Sequence, residues 1–122
     1  VSSMTVKEPS ETLVLSNTMR TALVSWSKSL ASEVAPFGIT VNSILTGFFD
    51  TDRLNSLMKL QAEARGVSLK EVREERISMI PIKRLGDPAE YGYLASFLAS
   101  ESAAFLTGTV IPLDGGASVG LF

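Results

Sequence analysis

Ser16 and Arg20 stand four residues apart in the segment SNTMR, so on a helix they share a face, one turn from each other. A hydroxyl and a permanent cation on one face could form part of an active site. They could equally be two polar groups on a solvated helix, and the spacing alone leaves both readings open. The chain has no cysteine and no histidine, which removes disulfides, thiolate nucleophiles, His-centred triads and the usual zinc sites together. Any chemistry must come from hydroxyls, carboxylates, Lys, Arg or a bound cofactor.

The elements that would carry such residues are legible in the periodicity. From about residue 12 to residue 35, Leu15, Met19, Leu23, Trp26, Leu30 and Val34 recur at steps of three and four, a helical stripe. Beside it runs a row of small residues, Ala22, Ser25, Ser29 and Ser32, which would let another element approach closely. Pro36-Phe37-Gly38 ends this helix, with Gly38 free to take the left-handed turn. ITVNSIL (39–45) then reads as a buried parallel strand, broken at Gly47.

Residues 52–80 differ in kind. Leu54, Leu57 and Met58 form a short apolar stripe, Gly66 interrupts it, and Ser68 with Glu71 has the spacing of a capping box before the charged run LKEVREER. A mobile helical pair, separate from the core, is expected here. Asp87 as N-cap, Pro88 at the first helical position and Glu90 two residues later predict a further helix, packed on one side through Leu94, Phe97 and Leu98. TVIPLDGG reads as a last strand closed by Gly115-Gly116. The glycines of GGASVG follow that strand without a helix behind them, so they do not form a phosphate cradle.

The order is strand end, helix, strand, helical pair, helix, strand. This alternation predicts an α/β fold with a parallel sheet and helices on its faces. Three strands cover both faces of a sheet poorly, and Val1-Ser2-Ser3 reads like the end of a strand, so the expectation is a chain whose first half is missing. With 122 residues, 45% of them hydrophobic, and a net charge of −2 from 11 basic and 13 acidic residues, nothing points to nucleic acid or to a membrane surface. No apolar run approaches the ~20 residues of a membrane span. The absence of cysteine fits a cytoplasmic protein.

Three stretches, SKSLASEVAPFGITVNSI, TGFFDT and IPIKRLGDPAEYGYLASFLASESAAFLTGTVIPLDGG, together resemble the C-terminal half of a short-chain dehydrogenase/reductase, of the 3-oxoacyl-acyl-carrier-protein reductase-like group. The resemblance covers essentially the whole chain. It implies residues 1–122 as the second half of one NAD(P)-binding, Rossmann-type, doubly wound parallel sheet, with 52–80 as a helical lid inserted over the substrate. It also implies hydride transfer between NAD or NADP and a small carbonyl or alcohol substrate, possible 3-oxoacyl chemistry, and pairing of subunits into a homo-dimer or homo-tetramer through the long helix.

The same resemblance assigns roles. Members of the family use a Tyr as general acid/base, a Ser that hydrogen-bonds the reacting oxygen, and a Lys four residues after the Tyr that binds the nicotinamide ribose. Counting back from Asn42 in GITVN, the Tyr position falls on Ser16 and the Lys position on Arg20; thirteen residues before Ser16, the family's Ser falls on Ser3. Arg20 keeps a positive charge and donors for ribose hydroxyls. Ser16 is a far weaker acid than a phenol, and loss of general acid–base catalysis removes ~10²–10⁴-fold in rate. TGFFDT matches the family's Pro-Gly-x-x-x-Thr with Thr46 in place of Pro. Gly47 would admit close backbone approach, the Phe49 backbone would meet the carboxamide, and the Thr51 hydroxyl would bond it or the pyrophosphate. Tyr91 and Tyr93 lie in a different helix and read as structural. Phe48, Phe49 and Leu54 favour an apolar substrate. The alternative is a non-catalytic relative that kept the scaffold to bind cofactor or to form oligomers.

Overall fold

The computed structural model describes residues 1–120. Three parallel strands form one sheet in the order β1 (Ser2–Ser3), β2 (Ser43–Thr46), β3 (Val110–Leu113). Ser43, Ile44 and Leu45 are all buried, so the central strand is covered on both faces. Pro112 has no N–H for a ladder and sits in β3, which pairs with β2 alone among the described strands.

The expected strand over 39–45 is only four residues long and begins at Ser43. Asn42 is the reason. Its side chain donates to the Leu106 carbonyl at 2.9 Å and accepts from the Thr109 hydroxyl at 2.7 Å, while the Val41 N–H goes to the Thr107 hydroxyl. These bonds tie 41–42 to the loop before β3 and delay the ladder.

Helix α1 (Val14–Val34) occupies most of the span the apolar periodicity marked, and Gly38 closes the short 3₁₀ turn after it with φ 74°. Its orientation departs from the stripe. Val24 and Ala31 are the buried residues of α1, and Lys28 between them donates from Nζ to the Gly108 carbonyl at 2.8 Å. Leu15, Met19 and Trp26 are 77, 64 and 59% exposed. At ~100° per residue, the stripe lies roughly 130° around the helix from the Val24–Ala31 face. Arg20, one turn before Val24, is on the side that meets the sheet.

Helices α2 (Asp52–Arg65) and α3 (Leu69–Ser78) pack on each other around Met58, Ala62 and Val72, so this pair has a small core of its own. Of the three stripe residues, Met58 is fully buried, Leu54 is half-buried and Leu57 is exposed. Thr51 caps α2, Gly66 ends it in the left-handed region, and the Ser68–Glu71 capping box opens α3 with both reciprocal bonds made. Helix α4 (Pro88–Leu98) starts with the Asp87–Glu90 capping box. Its contact with the rest is shallower than its sequence implies: Leu94 and Leu98 are half-buried and Phe97 is exposed.

Candidate functional site

The carboxyl ends of β1 and β2 open on a groove of about 430 Å³ lined by Ser3, Arg20, Thr46, Gly47, Phe49 and Thr51, among others. Five of the six residues singled out by sequence therefore meet at one place, at the strand ends where open α/β sheets bind ligands. Ser16 is not among the lining residues. It is half-buried and joins the group indirectly, accepting a hydrogen bond from Arg20 Nε at 3.1 Å. The Nη groups of Arg20 form no hydrogen bond among the described residues.

Local folding explains how each group is held. Ser3 ends β1 and caps the 3₁₀ turn Met4–Val6, its Oγ accepting from the Thr5 N–H at 3.3 Å. The Thr51 Oγ1 accepts from the Leu54 N–H at 3.2 Å as the cap of α2. Each hydroxyl spends an acceptor on the backbone and keeps its O–H to donate elsewhere. Structural and ligand-binding uses of Ser3 and Thr51 are thus compatible.

Phe49 forms an isolated parallel bridge with Gly86, made by Gly86 N–H to the Phe48 carbonyl at 2.9 Å and Asp50 N–H to the Gly86 carbonyl at 2.8 Å. Because backbone groups alternate sides along an extended segment, the N–H and C=O of Phe49 itself point away from Gly86. Among the described residues neither has a partner. The Phe49 ring fills the space over Gly86, where a Cβ would come within 2.7 Å of it, and meets Tyr91 edge-on at 5.7 Å. Tyr91 thus packs behind the groove, and Tyr93 is exposed.

Gly47 has a structural reason beyond ligand approach. A Cβ on it would lie 2.5 Å from Asp114 Cα, so the missing side chain lets the ends of β2 and β3 close together. Asp114 itself turns the chain after β3, accepting from the N–H groups of Gly116 and Ser118. Burial pushes its carboxyl up, and the N–H groups of Ser118, Gly116 and Ala117 outweigh that and hold it below the usual range.

A second cavity, of about 540 Å³, shares Ser3, Thr46, Gly47 and Phe48 with the first and extends toward Met4, Leu13 and Met79. Sequence reasoning gave two of its contributors no ligand role. One is Thr46, whose hydroxyl is buried without a partner among the described residues, as is that of Ser2 in the first groove. The other is Arg76 of α3, whose guanidinium lies 4.6 Å from the Phe48 ring centroid. Arg76 was hidden in a charged run that reads as a solvated helix face. The base of the α2–α3 pair is fastened beside it by Arg73, which pairs with Asp50; Asp50 also accepts from Asn55 at 3.0 Å. Arg73 first, then Asn55, hold the Asp50 carboxyl below its ordinary range.

A dinucleotide's nicotinamide end fits this groove chemically. An unpaired backbone edge at Phe49 and a guanidinium end on Arg20 with no hydrogen bond among the described residues are donors and acceptors of the kind that a carboxamide and a ribose need. Among the described residues no group of acidic side chains could hold a metal ion, and no helix is long and apolar enough to cross a membrane.

Comparison with known proteins agrees with this architecture. The family model described as enoyl-(acyl carrier protein) reductase matches residues 1–118. The NADPH-dependent reductase BacG of Bacillus subtilis is 38% identical over 110 residues, which is 90% of this chain and 42% of BacG. The 3-oxoacyl-[acyl-carrier-protein] reductase MabA of Mycobacterium tuberculosis is 33% identical over 101 residues, 83% of this chain and 36% of MabA. A crystal structure of a short chain dehydrogenase family protein from Francisella tularensis superposes with a TM-score of 0.90 at 30% identity, covering 95% of this chain and 48% of that one. The chain spans less than half the length of the curated relatives it matches. On the motifs, the parallel sheet and these matches, the chain belongs to the short-chain dehydrogenase/reductase family.

Proposed function

We propose that this chain is the substrate-side half of an NAD(P)-dependent oxidoreductase acting on a small carbonyl or alcohol substrate. The observation that carries the proposal is the convergence of Ser3, Arg20, Gly47, Phe49 and Thr51 on one groove at the strand ends. When bound, the nicotinamide supplies or accepts the hydride. The chain's own residues hold and orient. Arg20 offers its Nη donors to ribose hydroxyls. The Phe49 backbone edge receives the carboxamide, and the Thr51 O–H is available to it or to the pyrophosphate. Ser3, shared between the two cavities, donates to the reacting oxygen of the substrate.

Ser16 in the place of a phenol is the weak point of this chemistry. Its hydroxyl accepts from Arg20 Nε, which favours a developing negative charge on Oγ, yet an aliphatic alcohol starts far from neutral pH. The rate of such an enzyme would be limited by proton supply to the substrate oxygen. Helices α2 and α3 would act as the lid, excluding water from the cavity beside Phe48. NADPH is the cofactor favoured by the relative BacG, and a 3-oxoacyl-like substrate is favoured by the relative MabA.

A second reading has its own observation. Ser16 lies outside the groove lining, and the apolar side of α1 at Leu15, Met19, Leu23 and Trp26 is open. A non-catalytic subunit that binds cofactor and pairs through α1 into a dimer or tetramer would look the same. Assays on the complete protein separate the two. Binding of NADPH with reduction of at least one ketone in a broad panel supports the enzyme, and binding without any turnover supports the non-catalytic subunit. The double change Ser16→Tyr with Arg20→Lys raises turnover if the remaining groove is intact.

A further inference from the structure

Arg76 sits on α3 and lines the second cavity, with its guanidinium carbon over the Phe48 ring at 4.6 Å from the centroid. Its Nη2 donates to Gln61 Oε1 at 3.1 Å. Its Nε is buried with no acceptor, and its Nη1 has no hydrogen bond among the described residues. No described carboxylate forms an ion pair with it, whereas Arg65, Arg73 and Arg84 each have one. The two acidic residues that share the cavity are engaged elsewhere: Glu8 accepts the Val119 N–H, and Asp114 accepts those of Gly116 and Ser118. The cavity walls are otherwise largely apolar, with Met4, Leu13 and Met79.

We infer that Arg76 is the specificity-determining residue of this site and recognises a carboxylate on the substrate, whose carbonyl end lies toward Ser3. The inference rests on the oxidoreductase reading and narrows its substrate class to oxo acids and hydroxy acids. Arg76 is half-buried, its buried Nε has no acceptor and Gln61 offers its Nη2 only a neutral one; a carboxylate supplies both the missing charge and the planar pair of oxygens that fit a guanidinium. Burial depresses the Arg76 pKa, the direction expected of a cation held without a counter-charge. A phosphate dianion fits less well, since a single guanidinium faces it while the Glu8 and Asp114 carboxylates border the same space. The sequence LKEVREER conceals this role, because three further charged side chains of that run, Arg73, Glu71 and Glu75, are spent on a latch, a cap and an ion pair.

The test uses the complete protein and two probes of one shape, a medium-chain 4-oxo acid and its methyl ester, with dissociation constants measured by calorimetry in the presence of NADPH. The acid is expected to bind about 10- to 100-fold more tightly than the ester, the range for a hydrogen bond to a charged group. Arg76→Met should abolish that preference by weakening the acid while leaving the ester within ~3-fold. Arg76→Lys, which keeps the charge and loses the planar fork, should retain part of it. Equal affinity of the wild-type protein for acid and ester, or binding of neither, overturns the inference, as does a parallel loss of both ligands in Arg76→Met with the acid preference unchanged. Because the readout is binding, failure of the oxidoreductase reading shows separately, as intact acid preference with no oxidation of NADPH by any ketone.

Discussion

Arg20, which lines the groove, donates its Nε–H to Ser16 Oγ across one turn of α1, at 3.1 Å, and its Nη groups make no hydrogen bond among the described residues. The two residues thus act as a unit in which Ser16 steadies the guanidinium. The consequence is unequal. In the complete protein, Arg20→Ala should weaken NADPH binding about 10-fold or more, the loss expected when a charged donor to a ligand is removed. Ser16→Ala should change it by less than ~3-fold, since it removes one neutral acceptor from a side chain with other donors free. Fluorescence titration of NADPH measures both, and equal losses would mean that Ser16 itself meets the cofactor.

The α2–α3 pair depends on a few side chains. Met58 is fully buried against Ala62 and Val72, with Leu54 and Val67 packed alongside. Met58→Ala should destabilise the pair by ~2–5 kcal/mol, the usual range for truncating a buried side chain of this size. Leu57→Ala, one residue away on the exposed side, should cost less than ~0.5 kcal/mol. Hydrogen exchange provides the readout: amides of residues 52–78 should exchange faster in Met58→Ala, and those bonding β2 to β3 should not. Loss of protection throughout the sheet would make the pair an integral part of the core.

Element ends were legible where local chemistry sets them. Asp87-Pro88 with Glu90, Ser68 with Glu71, and Gly38 all do what their types imply, because caps act over three residues and need no tertiary context. The meeting of Ser3 with Arg20 was legible only through family spacing, since parallel pairing of β1 with β2 brings them together across the fold. The facing of α1 was not legible. Periodicity finds an apolar side but not what covers it, and the sheet takes the narrower Val24–Ala31 face. Arg76 was illegible for a different reason. In LKEVREER every charge looks alike until the fold shows which ones find a partner.

The start of α4 carries a pH signature. The Glu90 carboxylate accepts from Arg84 at 2.6 and 2.8 Å and from the Asp87 N–H at 2.8 Å. The Arg84 bonds, then the Asp87 N–H, lower its pKa to about 2. An unfolded Glu titrates near ~4.3, so the folded state binds its proton less readily. Stability from this group is therefore fully present above the unfolded value and is lost as pH falls through the interval between the two. The melting-temperature difference between wild type and Glu90→Gln should be constant from about pH 6 upward and should close as pH falls below ~4 toward the folded value. A difference that persists undiminished at the acid end would mean that packing, not charge, separates the two proteins.

Two glycine substitutions should move stability in opposite directions. At Gly47 a Cβ would stand 2.5 Å from Asp114 Cα and 3.1 Å from the Leu113 carbonyl, and backbone atoms cannot rotate away. The Gly47 N–H also bonds that carbonyl at 3.0 Å, so separating the chains sacrifices the bond. Gly47→Ala should therefore destabilise by ~1–3 kcal/mol or more, the scale of overpacking. At Gly92, inside α4, an added Cβ meets nothing within 4 Å. There the helix gains what Gly withholds, and Gly92→Ala should stabilise by ~0.5–1 kcal/mol. Urea unfolding of both variants measures the pair. A neutral Gly47→Ala would mean that the ends of β2 and β3 separate freely, and the wall of the second cavity that joins Ser3, Gly47 and Asp114 would then be a loose assembly instead of a fixed platform for ligand.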